Sequence, residues 1–527
     1  MKNKLKHYRL MGCTRPADQP PQYYQEQIEK KLKLKPGSYT WARHRESLDA
    51  RKGRRIQYVA QLDLWVKGNV PLRKTRDLVE VREQKYEPLK VETKLRPIIV
   101  GTGPAGLFAA RTLLMGGVKP ILLEQGEAME GRVKTVEAFW QGEALNPWSN
   151  VQFGEGGAGT FSDGKLTSRS KDPRGAYVND TFAEFSGDDS LRYMKKPHMG
   201  TDALRGTIVR MRREMEERGA SFHFNTRVLD FEVGGEILLH TTAGDFSASH
   251  VIWAVGNGAR DLFERFHQKG LAMEAKATAM GFRIEQPQEG MNLAQYGEMA
   301  DYLPPAEYAL THPVGELGTY TFCMCPGGVV VNASSEAGRL VTNGMSYKAR
   351  DGENANAALL VTVDERIYGE GPLSALHFQR KIEERAHELG RGRAPAETAA
   401  DFLARKKNPG PGKLRPTFPG GVHYTDLHGL YPEVMNEAIM EALLAMGKKL
   451  PAFLEDAVLT APETRSSSPV RLLRNGELES ISHPGCYFVG EGAGYAGGIV
   501  SSAIDGMRGA EAVLKKLAQK NPPRGRD

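Results

Sequence analysis

An α/β fold, with a parallel sheet and helices packed on its faces, is what three features of this sequence predict. Two are glycine-rich junctions, each a short apolar strand running through glycines into an apolar helix. Ile98-Ile99-Val100 leads through Gly101-Thr102-Gly103-Pro104-Ala105-Gly106, and Cys486-Tyr487-Phe488-Val489 leads through Gly490-Glu491-Gly492-Ala493-Gly494-Tyr495-Ala496-Gly497-Gly498. The third is a second strand, residues 120–123, that ends in the acid Glu124.

The first junction reads as a dinucleotide fingerprint. Gly101 makes the tight turn, Gly103 lets backbone approach a pyrophosphate, and Gly106 lets the helix pack close on the strand. The helix, residues 107–115, offers unpaired N–H groups and a partial positive charge to the phosphates. Glu124 stands about twenty residues beyond the fingerprint, the spacing of an acid that holds a ribose 2′-OH. Its charge disfavours a 2′-phosphate, so FAD or NAD fits and NADP does not. A glycine-rich loop alone is a weak signal, and the strand–turn–helix–strand–acid order makes it specific.

The second junction separates the two dinucleotides. A single NAD-binding unit needs no return near the C-terminus. FAD is longer, and its ribityl chain and isoalloxazine ring need a separate cradle. Glu491 is placed to accept hydrogen bonds from ribityl hydroxyls. A helix over 499–517 would aim its positive end at the flavin N1–C2=O edge, where reduction leaves negative charge. The expected cofactor is FAD.

In chain order, residues 1–96 read as a small basic module, with a helix over 23–34 stopped by Lys35-Pro36-Gly37 and strands over 39–48 and 56–66. Between the strands, residues 49–55 form a basic turn carrying Arg51, Lys52, Arg54 and Arg55. It would suit nucleic acid or an acidic partner. No zinc spacing or nucleic-acid motif accompanies it, so a solvated basic face is the favoured reading. Residues 126–140 read as a helix carrying Arg132. In residues 150–165, Gly154, Gly156, Gly157, Gly159 and Gly164 mix with Phe153, Thr160, Phe161 and Lys165. Such a backbone can lie flat against a planar or phosphorylated ligand.

A helix over 201–218 follows, then short strands over 220–224, 228–233, 236–242 and 250–256. The last ends at Gly256, a further place for backbone to meet the cofactor. Residues 262–460 alternate strand-like and loop-like stretches with two helices, 374–389 and 432–446, and 405–419 reads as a loop. The predicted domains are a basic α+β module (1–92), the first part of an FAD-binding domain (93–262), an inserted α+β substrate domain (263–460) and the C-terminal return of the FAD-binding domain (461–527).

Composition sets the class. At 527 residues the chain can hold two or three domains. It has no run of about 18 apolar residues, so no membrane span is expected. Leu10-Met11-Gly12-Cys13 superficially resembles a lipoprotein cleavage site, but residues 2–9 hold no apolar signal core. Four cysteines, Cys13, Cys323, Cys325 and Cys486, are too few for a secreted disulfide scaffold, and a reducing, cytoplasmic location is expected. Residues 1–96 carry 24 Lys+Arg against 11 Asp+Glu, a net +13, and the rest of the chain nets −6, so the overall +7 belongs to the N-terminal module.

Taken together, these stretches resemble a family of uncharacterised bacterial FAD-dependent dehydrogenases. Its fold is similar to the FAD half of glutathione-reductase-type flavoproteins, with geranylgeranyl reductases and thiazole synthases as more distant relatives. Further blocks carry the resemblance: Ser47 to Arg51, Pro197-His198-Met199-Gly200-Thr201-Asp202, Phe322-Cys323-Met324-Cys325-Pro326-Gly327-Gly328, Asn343-Gly344-Met345-Ser346 and Glu463 to Arg471. One departure is Trp253-Ala254-Val255-Gly256, where relatives of this fold usually carry Thr before the Gly. The resemblance implies a Rossmann-like FAD-binding domain of glutathione-reductase type and no metal. It implies cofactor contacts at Gly101, Gly103, Pro104, Ala105, Gly106, Glu124, Arg132, Gly156, Gly157, Gly159, Thr160, Lys165, Val228, Gly256, Glu491, Gly494, Gly497, Gly498 and Ile499.

Chemistry beyond the cofactor is sparse. His198 reads either as an acid–base group near the flavin or as a structural loop histidine. Arg465 and Arg471 would hold an anionic substrate or a phosphate, or else pair with carboxylates inside the fold. Cys323 and Cys325 stand two apart in a predicted strand and should share a face, toward the flavin or in the core. Tyr495 sits within the cradle sequence. The leading function is an FAD-dependent dehydrogenase passing hydride between FAD and a small molecule. The alternative is a flavoprotein with structural or redox-sensing FAD that binds RNA or a protein through its basic module. No second Gly-x-Gly-x-x-Gly lies between Gly258 and Gly490, so NAD(P)H is left open as an electron source but has no dedicated domain.

Overall fold

The strand Ile98–Val100 occupies the middle of a five-stranded, all-parallel sheet, in the order Cys486–Phe488, Val251–Trp253, Ile98–Val100, Ile121–Leu123, Ser221–His223. The structure, a computed structural model, describes residues 5–51, 53–68, 70–82, 85–168 and 170–520. The basic turn's Lys52 lies outside the described residues.

Side chains alternate across this sheet, and both faces are covered, which is why its strands are short apolar runs rather than alternating ones. Ile99, Leu122, Ile252 and Tyr487 pack against the helices Pro104–Met115, Gly200–Glu217 and Ile499–Lys520. Ile98, Val100, Val251 and Trp253 pack on the other side, against the helix Arg260–Gln268 and a three-stranded antiparallel sheet formed by Val228–Val233, Ile237–Thr241 and Gly244–Ala248. The helix near the C-terminus lies directly on the fingerprint helix. A Cβ on Gly506 would stand 2.0 Å from the Ala105 carbonyl oxygen, so a side chain there would force the two helices apart.

The strands of a seven-stranded sheet fall, in sequence, between Val251–Trp253 and Cys486–Phe488. Their order is Thr311–Val314, Leu317–Cys325, Asn354–Val363, Thr278–Pro287, Val458–Glu463, Ala394–Thr398, Val422–Tyr424. The two central strands, Thr278–Pro287 and Asn354–Val363, are buried at nearly every position and pair antiparallel over ten residues. The helices Ser374–Leu389 and Glu433–Lys449 lie where the pattern predicts them. Residues 262–460 hold more helix than predicted, including Gln288–Tyr296 and the short Ala399–Leu403, whose apolar spacing is too brief to stand out from loop.

The N-terminal residues form a four-stranded antiparallel sheet, Tyr39–Asp49, Gln57–Lys67, Leu5–Pro16, Leu78–Glu80, closed on one face by the helix Tyr23–Leu32. Leu10, Cys13, Tyr24, Ile28, Leu62 and Leu64 make its core. The strand Leu5–Pro16 is absent from the sequence prediction because a bulge between Leu10 and Cys13, with Gly12 at φ +65°, breaks its period. It carries the lipoprotein-like tetrapeptide, and Cys13 is a core residue. The module docks through Glu46, whose carbonyl accepts from the Lys195 N–H at 2.8 Å, and through Arg43, stacked 3.9 Å over the Tyr193 ring. Among the described residues no helix is long and apolar enough to cross a membrane.

Candidate functional site

A cavity of about 560 Å3 opens at the carboxyl ends of the parallel strands, where ligands of open α/β sheets bind, and reaches the seven-stranded sheet at Cys323 and Glu463. The predicted contacts Gly101, Gly103, Pro104, Ala105 and Glu124 line it from the fingerprint side. Gly157, Gly159, Lys165 and Val228 line its middle, and Gly256, Glu491, Gly497, Gly498 and Ile499 its other side. Gly106, Arg132, Gly156, Thr160 and Gly494 do not reach the wall, and neither do His198 and Cys325.

The glycines separate into two kinds. Some serve the fold: a Cβ on Gly101, at φ +103°, would lie 2.4 Å from the Ala254 oxygen, and one on Gly106 would lie 1.9 Å from the Gly101 oxygen. Gly156 and Gly494 are of this kind as well, blocked at 2.4 Å by Thr160 Cγ2 and at 2.5 Å by the Val470 oxygen. Others face open space. A Cβ on Gly103 would meet only the Gly157 Cα at 3.7 Å, while Gly256 and Gly497 have no protein atom within 4 Å. These bare positions border the cavity, so a side chain there would occupy ligand volume and not protein volume. The fingerprint helix starts at Gly103 with no side chain capping it, which leaves its first N–H groups free for phosphate oxygens. The residues present fit a long dinucleotide.

Glu124 is more occupied than its sequence position suggests. Its Oε2 accepts from the Thr102 N–H at 3.0 Å and hydroxyl at 2.8 Å, and its Oε1 from the N–H groups of Gly126 at 3.0 Å and Gly154 at 3.1 Å. It ties the fingerprint to the glycine-rich loop, and a ribose hydroxyl must displace one of these donors. Arg132, expected at the cofactor, is fully buried behind that loop. Its guanidinium donates to the carbonyls of Asn150, Val151, Gly154, Glu155 and Gly157 and to the Thr160 hydroxyl. It shapes the loop from behind because a buried cation must satisfy every N–H, and loop carbonyls supply the acceptors. Thr160 is consumed by the same network.

On the opposite wall, Asn257 Nδ2 donates to Glu491 Oε1 at 2.7 Å. Burial raises the Glu491 carboxyl to about 7, against the opposing pull of that hydrogen bond and of Lys276. Asn257 escaped the sequence reading, although it sits in the Gly256-Asn257-Gly258 turn. Arg465 lines the cavity and is also paired with a carboxylate: it forks onto Glu383 at 3.0 and 2.8 Å and donates to Ser335 Oγ at 2.6 Å. Arg471 pairs with Glu274 at 2.9 Å. Tyr495 is 44% exposed, off the cavity wall, with Arg474 stacked on its ring at 3.9 Å.

Toward the seven-stranded sheet the cavity becomes charged, and Asp163, Lys165, Lys196 and Glu307 line it. Buried Asp163 sits 2.7 Å from Arg350 and 3.4 Å from Lys165, and Glu307 pairs with Lys196 at 3.0 Å and Arg350 at 3.1 Å. Burial works against the Lys165 charge, but Asp163 and the two nearby thiols outweigh it and raise its pKa. His198 lies behind this group, 3.3 Å from Ser346 Oγ and 3.5 Å from Asp163. Burial lowers it to about 4, so it is neutral at pH 7 and off the wall, which fits a structural loop histidine.

Cys323 and Cys325 do not share a face as a regular strand requires. The strand Leu317–Cys325 shifts register between Phe322 and Cys325, and Cys323 adopts φ +43°. Cys323 lines the cavity and Cys325 is wholly buried. Arg283, 0% exposed, reaches them from the next sheet strand but one. It donates to the Cys323 carbonyl at 2.7 Å, contacts Cys325 Sγ at 3.3 Å and pairs with Glu463 at 2.8 Å. Arg283 was also missed, and its signal was a lone cation inside an apolar strand, which must be paired when buried.

Residues 277–466 match the family described as FAD-dependent protein, C-terminal domain-like. A Clostridium beijerinckii protein described as uncharacterized is 42% identical over 489 residues, covering 90% of this chain and 92% of that one. The chain belongs to this family of FAD-dependent proteins. Its cofactor is FAD. Solved structures share only a slight likeness. CtdE in complex with FAD has a TM-score of 0.32 at 12% identity, over 81% of this chain and 86% of that one. Glycine oxidase from Geobacillus kaustophilus has a TM-score of 0.34 at 12% identity, over 82% and 96%.

Proposed function

We propose that the protein is an FAD-dependent oxidoreductase of dehydrogenase type, exchanging hydride with a small molecule held against the seven-stranded sheet. The observation that carries this reading is the single cavity that joins bare-glycine walls, suited to a dinucleotide, to a chamber lined by Asp163, Lys165, Lys196 and Glu307. Bound FAD supplies two-electron redox chemistry. The fingerprint helix and Gly103 hold its phosphates by backbone N–H groups. The start of the helix Ile499–Lys520 presents further N–H groups to the other end of the cavity, and Glu491 with Asn257 offers hydrogen bonds there. Lys165 and Lys196 orient an anionic portion of the substrate, while Asp163 and Glu307 pair with them and hold the two ammonium groups in place. The parallel sheet, its three-stranded antiparallel neighbour and the interrupted sequence order support a glutathione-reductase-type FAD domain over residues 93–262 and 461–527, with 263–460 inserted and 1–92 as a separate module.

The test is purification followed by anaerobic bleaching. The expected result is a yellow protein that releases FAD and not FMN on denaturation, and whose flavin is bleached by at least one member of a panel of small metabolites. A flavin that no candidate substrate bleaches, while dithionite does, would overturn the dehydrogenase reading and leave FAD in a structural or sensing role.

A further inference from the structure

The Cys323–Cys325 bulge is the nucleophilic group on the cavity wall that hydride transfer leaves without a task. In an extended strand, residues two apart stand about 6.6 Å apart and their side chains run parallel. Here the left-handed turn at Cys323 folds the strand on itself and brings the Cys325 thiol within hydrogen-bonding reach of the Cys323 carbonyl, 3.3 Å away. A non-glycine residue holds such a conformation only where its surroundings impose it. Arg283 grips the Cys323 carbonyl, the Lys165 ammonium donates to the Met324 carbonyl, and Gly327 follows at φ +51°, packed on the Arg350 carbonyl. Gly344 is part of the same device: a Cβ there would stand 1.7 Å from Arg283 NH2.

The outcome is an asymmetric pair. The Cys323 thiol lies on the cavity wall with its pKa lowered by the Cys325 hydrogen bond, against burial, with Lys165 and Arg283 adding to the lowering and Glu463 opposing it. Cys325, wholly buried, is held well above the ordinary thiol value by Cys323 and burial. A cavity-lining thiol of lowered pKa beside a buried thiol is the arrangement of an attacking and a resolving cysteine.

We propose that Cys323 and Cys325 form a redox-active dithiol whose substrate is a small-molecule disulfide admitted to the cavity. This deepens the oxidoreductase reading and rests on it for the physiological direction of electron flow. The Cys323 thiolate attacks one sulfur of R–S–S–R, forming a Cys323–S–S–R bond and releasing RS−, which takes up the proton Cys323 gave up. Cys325, losing its proton, attacks the Cys323 sulfur, closes the Cys323–Cys325 disulfide and releases the second RS−, which is protonated in turn. The protein dithiol loses two electrons, and the substrate disulfide becomes two thiols. A ring closed over one intervening residue is strained, so the oxidised pair is readily reopened by excess dithiol.

The experiment uses the FAD-loaded protein under anaerobic conditions with 2-hydroxyethyl disulfide as the probe, acid quenching and peptide mass spectrometry. In the wild type the peptide carrying both cysteines should lose two hydrogens without accumulating an adduct. Cys325→Ser should trap the mercaptoethanol adduct on Cys323, forming it at least tenfold faster than any adduct at Cys13 or Cys486. Cys323→Ser should trap none at Cys325. A Cys323 that reacts no faster than the core cysteines, or a wild type that keeps the adduct and never closes the ring, would overturn the proposal. Should a variant fail to fold, the wild-type time course alone decides. Because exchange is read by mass and not by flavin colour, inert thiols with a substrate-bleachable flavin refute this proposal alone, and exchanging thiols with a flavin that no substrate bleaches refute the dehydrogenase reading.

Discussion

Gly103 and Gly101 stand two residues apart in the same loop, and alanine at each should fail in opposite ways. At Gly101 the backbone sits at φ +103°, where a side chain costs about 1–2 kcal/mol, and the new Cβ would overlap the Ala254 carbonyl at 2.4 Å. Overpacking against backbone adds about 1–3 kcal/mol, so Gly101→Ala should destabilise the apoprotein by about 3 kcal/mol. At Gly103 the Cβ meets only the Gly157 Cα at 3.7 Å, an ordinary contact. Losing a glycine N-cap costs about 1 kcal/mol and stiffening the unfolded chain returns about 0.4–1 kcal/mol, so the apoprotein should stay within about 1 kcal/mol of wild type. The same methyl enters the cavity where the pyrophosphate must pass. FAD affinity should therefore fall at least tenfold, or about 1.4 kcal/mol. Urea unfolding of the apoproteins gives the first quantity and flavin-fluorescence titration the second. An apo Gly103→Ala as unstable as Gly101→Ala, or one that binds FAD like wild type, would refute the division into fold-serving and ligand-serving glycines.

Arg132→Met should cost the apoprotein more than about 3 kcal/mol in urea unfolding, because five loop carbonyls lose their donor at about 1–3 kcal/mol each. Glu491, raised to about 7 by burial, keeps its proton in the folded apoprotein where the unfolded chain has released it. Wild-type stability relative to Glu491→Gln should then be greatest below about pH 4.5 and fall as pH rises to about 7, by at most about 1.4 kcal/mol per unit. A difference independent of pH would contradict this. His198, lowered to about 4, contributes stability that is present above its ordinary 6.5 and lost as pH falls from there to about 4, so His198→Asn should flatten that part of the acid limb of a stability–pH profile. Reduction of the flavin by NADPH or NADH should be slow at micromolar concentration, and rapid stopped-flow bleaching would show that a nicotinamide site exists without a second fingerprint.

What could be read from the chain was whatever its near neighbours decide. Gly101, Gly103 and Gly106 are legible because turn, helix start and strand belong to one βαβ unit, so spacing alone states the geometry. The return at Gly490–Gly498 is legible for the same reason, and so are the strands and helices around both. Arg132, His198 and Arg465 lay beyond that reach. Each is a polar group whose burial depends on segments far along the chain, and a buried charge takes whichever acceptors surround it: loop carbonyls for Arg132, Glu383 for Arg465. Cys323 and Cys325 show the limit most clearly. Period-two alternation places them together on one face, whereas the fold sends Arg283 from a strand 40 residues earlier to hold the Cys323 carbonyl and bends the strand between them. The sequence by itself determined the two glycine-rich strand–turn–helix junctions that line much of the cavity, because backbone shape there is a local property. Only the tertiary structure decided which thiol meets the cavity, because desolvation and charge pairing are settled by contacts between distant parts of the chain.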